Sequence, residues 1–317
     1  MLRYYQHFGL QRDPFLDTCD PQFYLELPMV RRNMRRVLTA IEESRGLAVV
    51  IGPSGSGKTS MSSALEHTLL GNASISIGKI LDPTFANDVE FLLAITRVFG
   101  LDLKSRSSAD LKNALKNFLF DAAIIEKKTL VLLIDEAQNL TADGLEALRL
   151  LLNFQVPQKK LLNVVLFGEE QLATFIAAHE NLSDRVDTYA RLDVLDAAAS
   201  TALIEHRLVT AGKLPVVEIF APGALQCAVE AGGGLPRRLT NVVRWAMVEA
   251  ADRGAEVVAI DHVMAALRAR GMKATSRTSA SDPPVTETPS VSEDINVKKP
   301  LRAEQGKILA RFLAWFP

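Results

Sequence analysis

The residues best suited to chemistry stand in two short runs. Gly52-Pro53-Ser54-Gly55-Ser56-Gly57-Lys58-Thr59, followed by Ser60, fits the pattern G-x-x-x-x-G-K-[ST] in full. A nucleotide's phosphates are crowded with negative charge and acceptor oxygens. Consecutive backbone N–H groups surround them only where no Cβ blocks the approach, which is what the glycines supply. A helix beginning at Thr59 adds the positive end of its dipole. Lys58 then reaches the β and γ phosphates, and the Thr59 hydroxyl can ligate Mg²⁺. By composition alone such a match turns up on the order of once in a hundred chains of this length.

The second run is Thr129-Leu130-Val131-Leu132-Leu133-Ile134-Asp135-Glu136, an apolar stretch ending in two carboxylates. In open α/β sheets the carboxyl ends of the strands face the ligand crevice. There Asp135 would hold Mg²⁺ through water, leaving Glu136 free to orient and deprotonate an attacking water. Together the two runs describe Mg²⁺-dependent hydrolysis of ATP.

Elements of definite kinds must position these residues. Leu47–Ile51, Ser74–Ile80, Leu130–Ile134 and Leu161–Phe167 read as strands, with a weaker one near Leu192–Leu195. Helical periodicity falls between them, over 30–43, 59–70, 87–99, 108–126, 143–153 and 170–178. Strands alternating with helices imply a doubly wound parallel α/β sheet, and apolar runs without polar alternation imply cover on both faces. Beyond about residue 196 the pattern becomes all-helical, over 197–211, 222–231, 236–253 and 260–270, which predicts a small helical lid. The expected organisation is an α/β domain over 1–195 with an N-terminal segment, a lid over 196–271, a disordered linker over 272–300 rich in Ser, Thr and Pro, and a terminal helix over 301–317.

The whole-chain figures exclude several classes. A net charge of −1 over 317 residues gives no global argument for nucleic acid or for an acidic membrane. Two cysteines, Cys19 and Cys227, cannot build a disulfide framework and lack metal-ligand spacing. No apolar run approaches the ~18 residues of a membrane helix, and the N-terminus carries no apolar signal region. The expected location is the cytoplasm.

Three groups of residues carry a resemblance. They are the loop Gly52–Thr59, the run Leu133-Ile134-Asp135-Glu136-Ala137-Gln138-Asn139-Leu140, and a lead-in containing Phe8-Gly9-Leu10, Asp13-Pro14-Phe15 and Asp20-Pro21-Gln22-Phe23-Tyr24. Together with Val165-Leu166-Phe167-Gly168 and Gly234-Leu235-Pro236-Arg237-Arg238-Leu239, they resemble the AAA+ ATPases of the general secretion pathway protein A (ExeA) family over about residues 5–270. Transposition ATPases of the TniB and Mu B type are near relatives of that family. The resemblance implies a P-loop AAA+ fold and ATP hydrolysis coupled to conformational change in a homo-oligomer, ring or filament. Arg185 falls where the family carries an arginine finger, and Arg237 resembles the sensor-2 arginine reaching the phosphates from the lid. Pro14 and Phe15 would lie against the adenine. The sensor-1 position is the one after Gly168, where glutamine is expected and this chain has Glu169. Full family members also carry a membrane span and a peptidoglycan-binding part, and neither is found in these 317 residues.

Two partner classes stay open. A secretion or pilus-type envelope machine follows from the resemblance, and a DNA-binding regulator of transposition or a related mobile element is favoured by Arg31–Arg36 and by the missing envelope part. Arg31, Arg32, Arg35 and Arg36 occupy adjacent helical positions and read either as a solvated face or as a contact to the phosphates of double-stranded DNA. The segment Lys307–Phe316 reads as a one-sided apolar helix that docks on protein or, through Trp315 and Phe316, makes a peripheral contact with the inner membrane.

Overall fold

The structure is a computed structural model that describes residues 3–16, 20–105, 107–157, 159–212 and 219–271. The expected linker over 272–300, the terminal helix over 301–317 and Cys19 lie outside the described residues.

The chain opens with a single helical turn, α1 (Tyr4–His7), and reaches α2 (Pro28–Glu42) after the short turn Pro21–Phe23. Pro28 stands at the first helical position, where a missing N–H costs nothing. The alternation then begins: β1 (Leu47–Ile51), α3 (Lys58–Leu70), β2 (Ile75–Ile80), α4 (Asp88–Val98), α5 (Ser108–Phe120), β3 (Thr129–Ile134) and α6 (Ala142–Leu151). A widened turn, Asp121–Ile125, extends α5 as a π-helical coil. A two-residue hairpin, β4 (Gln155–Val156) and β5 (Lys159–Lys160), precedes β6 (Asn163–Gly168). Next come α7 (Glu170–Ala177), α8 (Glu180–Ser183) and β7 (Val186–Arg191), then the four lid helices α9 (Ala197–Thr210), α10 (Ala224–Gly232), α11 (Pro236–Asp252) and α12 (Ile260–Ala269).

Five strands form one sheet in the order β2-β3-β6-β1-β7, every neighbouring pair parallel. The pleat divides each buried strand between two cores. Leu47, Val49, Leu130, Leu132, Ile134, Val164 and Leu166 join α4–α7 on one face. Ala48, Val50, Val131, Leu133, Val165 and Phe167 join α2 and α3 on the other. Strands covered on both faces lose the polar alternation, as the apolar runs predicted.

The weak fifth strand does not lie at Leu192–Leu195 but just upstream, at Val186–Arg191. Its solvent-facing residues Asp187, Tyr189 and Arg191 alternate with buried Thr188 and Ala190. β7 is the sheet's edge, covered on one face only, and it therefore carries period-two alternation rather than an apolar run.

The lead-in packs with the lid rather than with the sheet. Tyr5, Phe8, Leu10, Phe15 and Phe23 share a core with Ile204, Leu208, Val243 and Met247 of α9 and α11. The Gln11 amide donates to Ala211 O (2.9 Å), and the Arg207 guanidinium donates to Pro14 O (2.9 Å).

Candidate nucleotide site

The strand order brings the predicted runs together. β1 and β3 flank β6, so the loop after Ile51, the turn after Gly168 and the carboxylates after Ile134 emerge side by side on the C-terminal edge. At about 4.8 Å between strands, Gly52 and Asp135 stand about 10 Å apart across the sheet. That width suits a triphosphate's end with its cation.

The loop itself needs its glycines. A Cβ at Gly52 would sit 2.6 Å from Leu192 O and 2.8 Å from Ser56 Oγ. Gly55 and Gly57 take φ of +77° and +99°, a region that side chains resist. Gly57 caps α3, whose first residue is Lys58.

Lys58 is only 6% exposed, and its ammonium turns back to donate to Gly52 O (3.0 Å) and Pro53 O (3.1 Å). Burial lowers its pKa, an effect opposed by the negative charges of Glu169, Glu136 and Asp135 and reinforced by Arg237. A buried cation resting on neutral carbonyls is under-compensated, and an incoming phosphate would supply what it lacks. Ser56 Oγ is likewise buried with no hydrogen-bond partner among the described residues.

Asp135 is 2% exposed. Burial raises its pKa, against the Thr59 hydroxyl and the Glu136 N–H (3.1 Å), both of which bond to the carboxylate. Hydroxyl and carboxylate oxygens are the hard donors that Mg²⁺ takes, the remaining positions falling to water and phosphate. Among the described residues no group of three or more His, Cys, Asp or Glu forms a self-sufficient metal cage.

Glu136 adopts φ 49° and ψ 36°, one of three non-glycine residues with positive φ among the described residues. Its carboxylate accepts from Gln138 Nε2 at 2.6 Å, and Gln138 Oε1 in turn accepts from the Glu169 N–H at 3.1 Å. Sequence reasoning singled out Glu136 and Glu169 but missed the amide between them. Its sequence signal was its place in the run Asp135-Glu136-Ala137-Gln138 that carries the family resemblance, which assigned it no role.

The comparisons agree with this geometry. Residues 41–176 match the family described as an AAA domain. Over 280 residues, 85% of this chain, the sequence is 30% identical to the general secretion pathway protein A of Aeromonas hydrophila. The chain is an AAA+ protein related to general secretion pathway protein A. It spans about half (49%) of that relative's length. The fold is similar to the ORC2 protein of Aeropyrum pernix in its ADPNP–ADP complexes, with a TM-score of 0.62 and 17% identity over 81% of this chain and 71% of that one. It is also similar to Cdc6p from Pyrobaculum aerophilum, with a TM-score of 0.63 and 14% identity over 79% and 70%. A third likeness is to the Drosophila ORC bound to DNA, with a TM-score of 0.60 and 18% identity over 83% and 67%.

In this AAA+ protein the lid touches the loop directly. The Arg237 N–H donates to Gly55 O (3.3 Å), and Arg237 Cβ lies 3.2 Å from where a Gly55 Cβ would stand. Arg237 thus opens α11 beside the loop, close enough for its charge to act on Lys58. Phe15 is 5% exposed within the lid core, next to Pro14.

Arg185 stands elsewhere. It precedes β7 at the N-terminal edge of the sheet, where Val186 pairs with Leu47. It lines an open polar groove with Glu43, Arg45, Lys160 and Asp187. Arg191, at the other end of β7, is engaged by Glu170 (2.8 Å) and Asp193 (2.9 Å).

Proposed function

We propose that this protein binds ATP with Mg²⁺ at the loop Gly52–Thr59 and hydrolyses it within a homo-oligomer. The observation that carries this reading is the buried, under-compensated Lys58 on the loop, set on the same sheet edge as the Asp135–Glu136 pair. Gly52, Ser54, Gly55, Ser56 and Gly57 offer the cradle of backbone N–H groups, with Pro53 shaping the loop between them without a donor of its own. Lys58 and Arg237 face the phosphates, and Ser60 follows in the first turn of α3. Thr59 and Asp135 would hold Mg²⁺, which draws charge from the phosphates when bound. Glu136 takes the proton of the attacking water. Pro14 and Phe15, fixed on the lid, supply an apolar side for the base. Arg185 serves the nucleotide of the adjoining subunit.

Lys58→Ala should abolish binding of a fluorescent ATP analogue, and Glu136→Gln should bind ATP normally while turnover stops. Normal hydrolysis by the Glu136→Gln protein would place the base elsewhere.

The relationship to general secretion pathway protein A supports coupling of this cycle to a secretion or pilus-type envelope machine, from the cytoplasm or peripherally at the inner membrane. Among the described residues no helix is long and apolar enough to cross a membrane.

One observation favours a second reading, a DNA-bound regulator. Arg31, Arg32, Arg35 and Arg36 are all exposed on one face of α2. Only Arg31 has an acidic partner among the described residues, Glu26 at 3.0 Å. Guanidinium groups in a row suit phosphates. Replacing Arg32, Arg35 and Arg36 by Glu should abolish binding to a labelled DNA duplex in fluorescence anisotropy. Wild-type protein that shows no salt-sensitive binding would end that reading.

A further inference from the structure

The amide of Gln138 is bonded at both ends, and the two ends are chemically different. Nε2 donates to Glu136 Oε2 at 2.6 Å, while Oε1 accepts from the Glu169 N–H at 3.1 Å. A carboxylate only accepts and a backbone N–H only donates, so just one orientation of the amide satisfies both partners. Turning it over would set donor against donor and acceptor against acceptor.

The surroundings are shaped for this group. A Cβ on Gly168 would stand 2.9 Å from Gln138 Oε1, so the glycine at the end of β6 leaves the space that the amide fills. The turn Ala137–Asn139 fixes the backbone of Gln138, with the Asn139 N–H on Glu136 O (2.9 Å) and Ala137 buried. Glu136 meanwhile holds a left-handed backbone that non-glycine residues resist and that persists only when its neighbours enforce it.

We propose that Gln138 is the positioning residue of the base: through its amide it fixes the Glu136 carboxylate at the crevice between β3 and β6 and ties it to the backbone of Glu169. The inference rests on the hydrolase reading of Glu136. Gln138 occupies one oxygen of the carboxylate. Oε1 of Glu136 carries no hydrogen bond to a described residue and is left for the water. The clamp therefore orients the base without consuming it. Its far end sits on the strand next to the loop, so a shift of the Gly168–Glu169 turn when phosphate binds is passed to the base through a single side chain. General bases act only within hydrogen-bond reach of the proton they take, and a carboxylate free to rotate spends most of its time out of line.

The test is steady-state hydrolysis by the full chain with Gln138→Ala and Gln138→Glu, each alone and combined with Glu136→Gln. Gln138→Glu keeps the shape but sets an acceptor against the Glu136 carboxylate. It also carries the test if the alanine variant fails to fold. The expected result is a fall in kcat on the order of 10- to 100-fold, with ATP affinity by the fluorescent analogue within about twofold of wild type. The glutamate variant should lose at least as much as the alanine. In the Glu136→Gln background neither change should lower the residual rate further, because a positioning residue has nothing left to position. A Gln138→Ala protein with wild-type or higher kcat overturns the proposal. So does one whose loss appears wholly as weaker ATP binding, or whose loss persists undiminished beside Glu136→Gln. A wild-type chain without turnover, or a fully active Glu136→Gln protein, instead overturns the hydrolase reading on which the proposal stands.

Discussion

Arg185→Ala separates a site completed within one subunit from a site completed between two. β7 runs parallel to β1 with Val186 opposite Leu47 and Arg191 opposite Ile51. Arg185 therefore lies about six residues, roughly 20 Å at strand spacing, below the level at which the loop Gly52–Thr59 begins. Its Nε is bonded to Asn181 O (3.0 Å), and its charge acts on Lys160 in the groove at the N-terminal edge. An arginine at that distance does not touch its own nucleotide. The variant should bind the fluorescent ATP analogue within about twofold of wild type, since no contact of the isolated subunit is lost. In the assembly the loss should be on the order of 10³-fold in kcat, the usual worth of an arginine finger, or about 4 kcal/mol of barrier. Mixing sharpens the test. In a 1:1 mixture of Arg185→Ala and Glu136→Gln subunits with random neighbours, about a quarter of the boundaries join an intact base to an intact finger. Hydrolysis by the mixture should then recover to about a quarter of the wild-type rate, where each variant alone is nearly silent. Two results refute the reasoning. A tenfold loss of ATP affinity in the isolated variant places Arg185 in its own site. Failure of the mixture to recover, although light scattering shows co-assembly, removes it from the boundary.

Asp135→Asn should raise Tm at neutral pH in the absence of Mg²⁺ while abolishing Mg²⁺-dependent ATP binding. Burial raises the folded-state pKa of Asp135 above its unfolded value, so the ionised carboxylate costs stability above that pKa. The cost disappears as pH falls and the group protonates, so the Tm gap between variant and wild type should close on acidification; a variant less stable at every pH contradicts this. Gly57→Ala and Gly234→Ala form a second pair, at φ +99° and +76° respectively. A Cβ at Gly57 meets nothing within 4 Å, whereas one at Gly234 falls 2.4 Å from Leu195 O. Urea unfolding should show a loss of about 1–2 kcal/mol for the first and a further 1–3 kcal/mol for the second, and equal losses would refute the steric argument.

What could be read in advance follows from what leaves a local trace. A phosphate loop is contiguous, and Asp135 and Glu136 are adjacent, so both runs were legible as strings. Strands β1, β3 and β6 were legible because cover on two faces writes an unbroken apolar run. β7 was displaced in the reading because an edge strand alternates, and the hairpin Gln155–Lys160 is too short to carry a period. The lead-in was legible through the motifs that carry the resemblance but its packing against the lid was not, since apolarity names no neighbour. The Gln138 clamp joins residues 31 positions apart, through a turn and a strand end that only the assembled sheet brings together. Glu169 was assigned its place after β6, yet its influence on Lys58 emerges only from the three-dimensional arrangement.

That same distinction bears on how the site could move. Lid and lead-in share one core, and the His7 ring on Ala255 O (2.8 Å), the Gln11 amide on Ala211 O and Arg207 on Pro14 O bind them into a single body. Among the described residues, two backbone hydrogen bonds tie that body to the α/β layers beside the nucleotide site: the Leu195 N–H on Gly234 O (2.8 Å) and the longer Arg237 N–H on Gly55 O (3.3 Å). Each is worth on the order of 1 kcal/mol, whereas the shared core buries two dozen side chains and does not yield at that scale. Gly234, at the first of these contacts, has a positive φ and lies too close to Leu195 O to admit a side chain. Phe15 and Phe23 belong to that body through the shared core. The polar groove at Arg185 lies at the opposite edge of the sheet, away from both contacts.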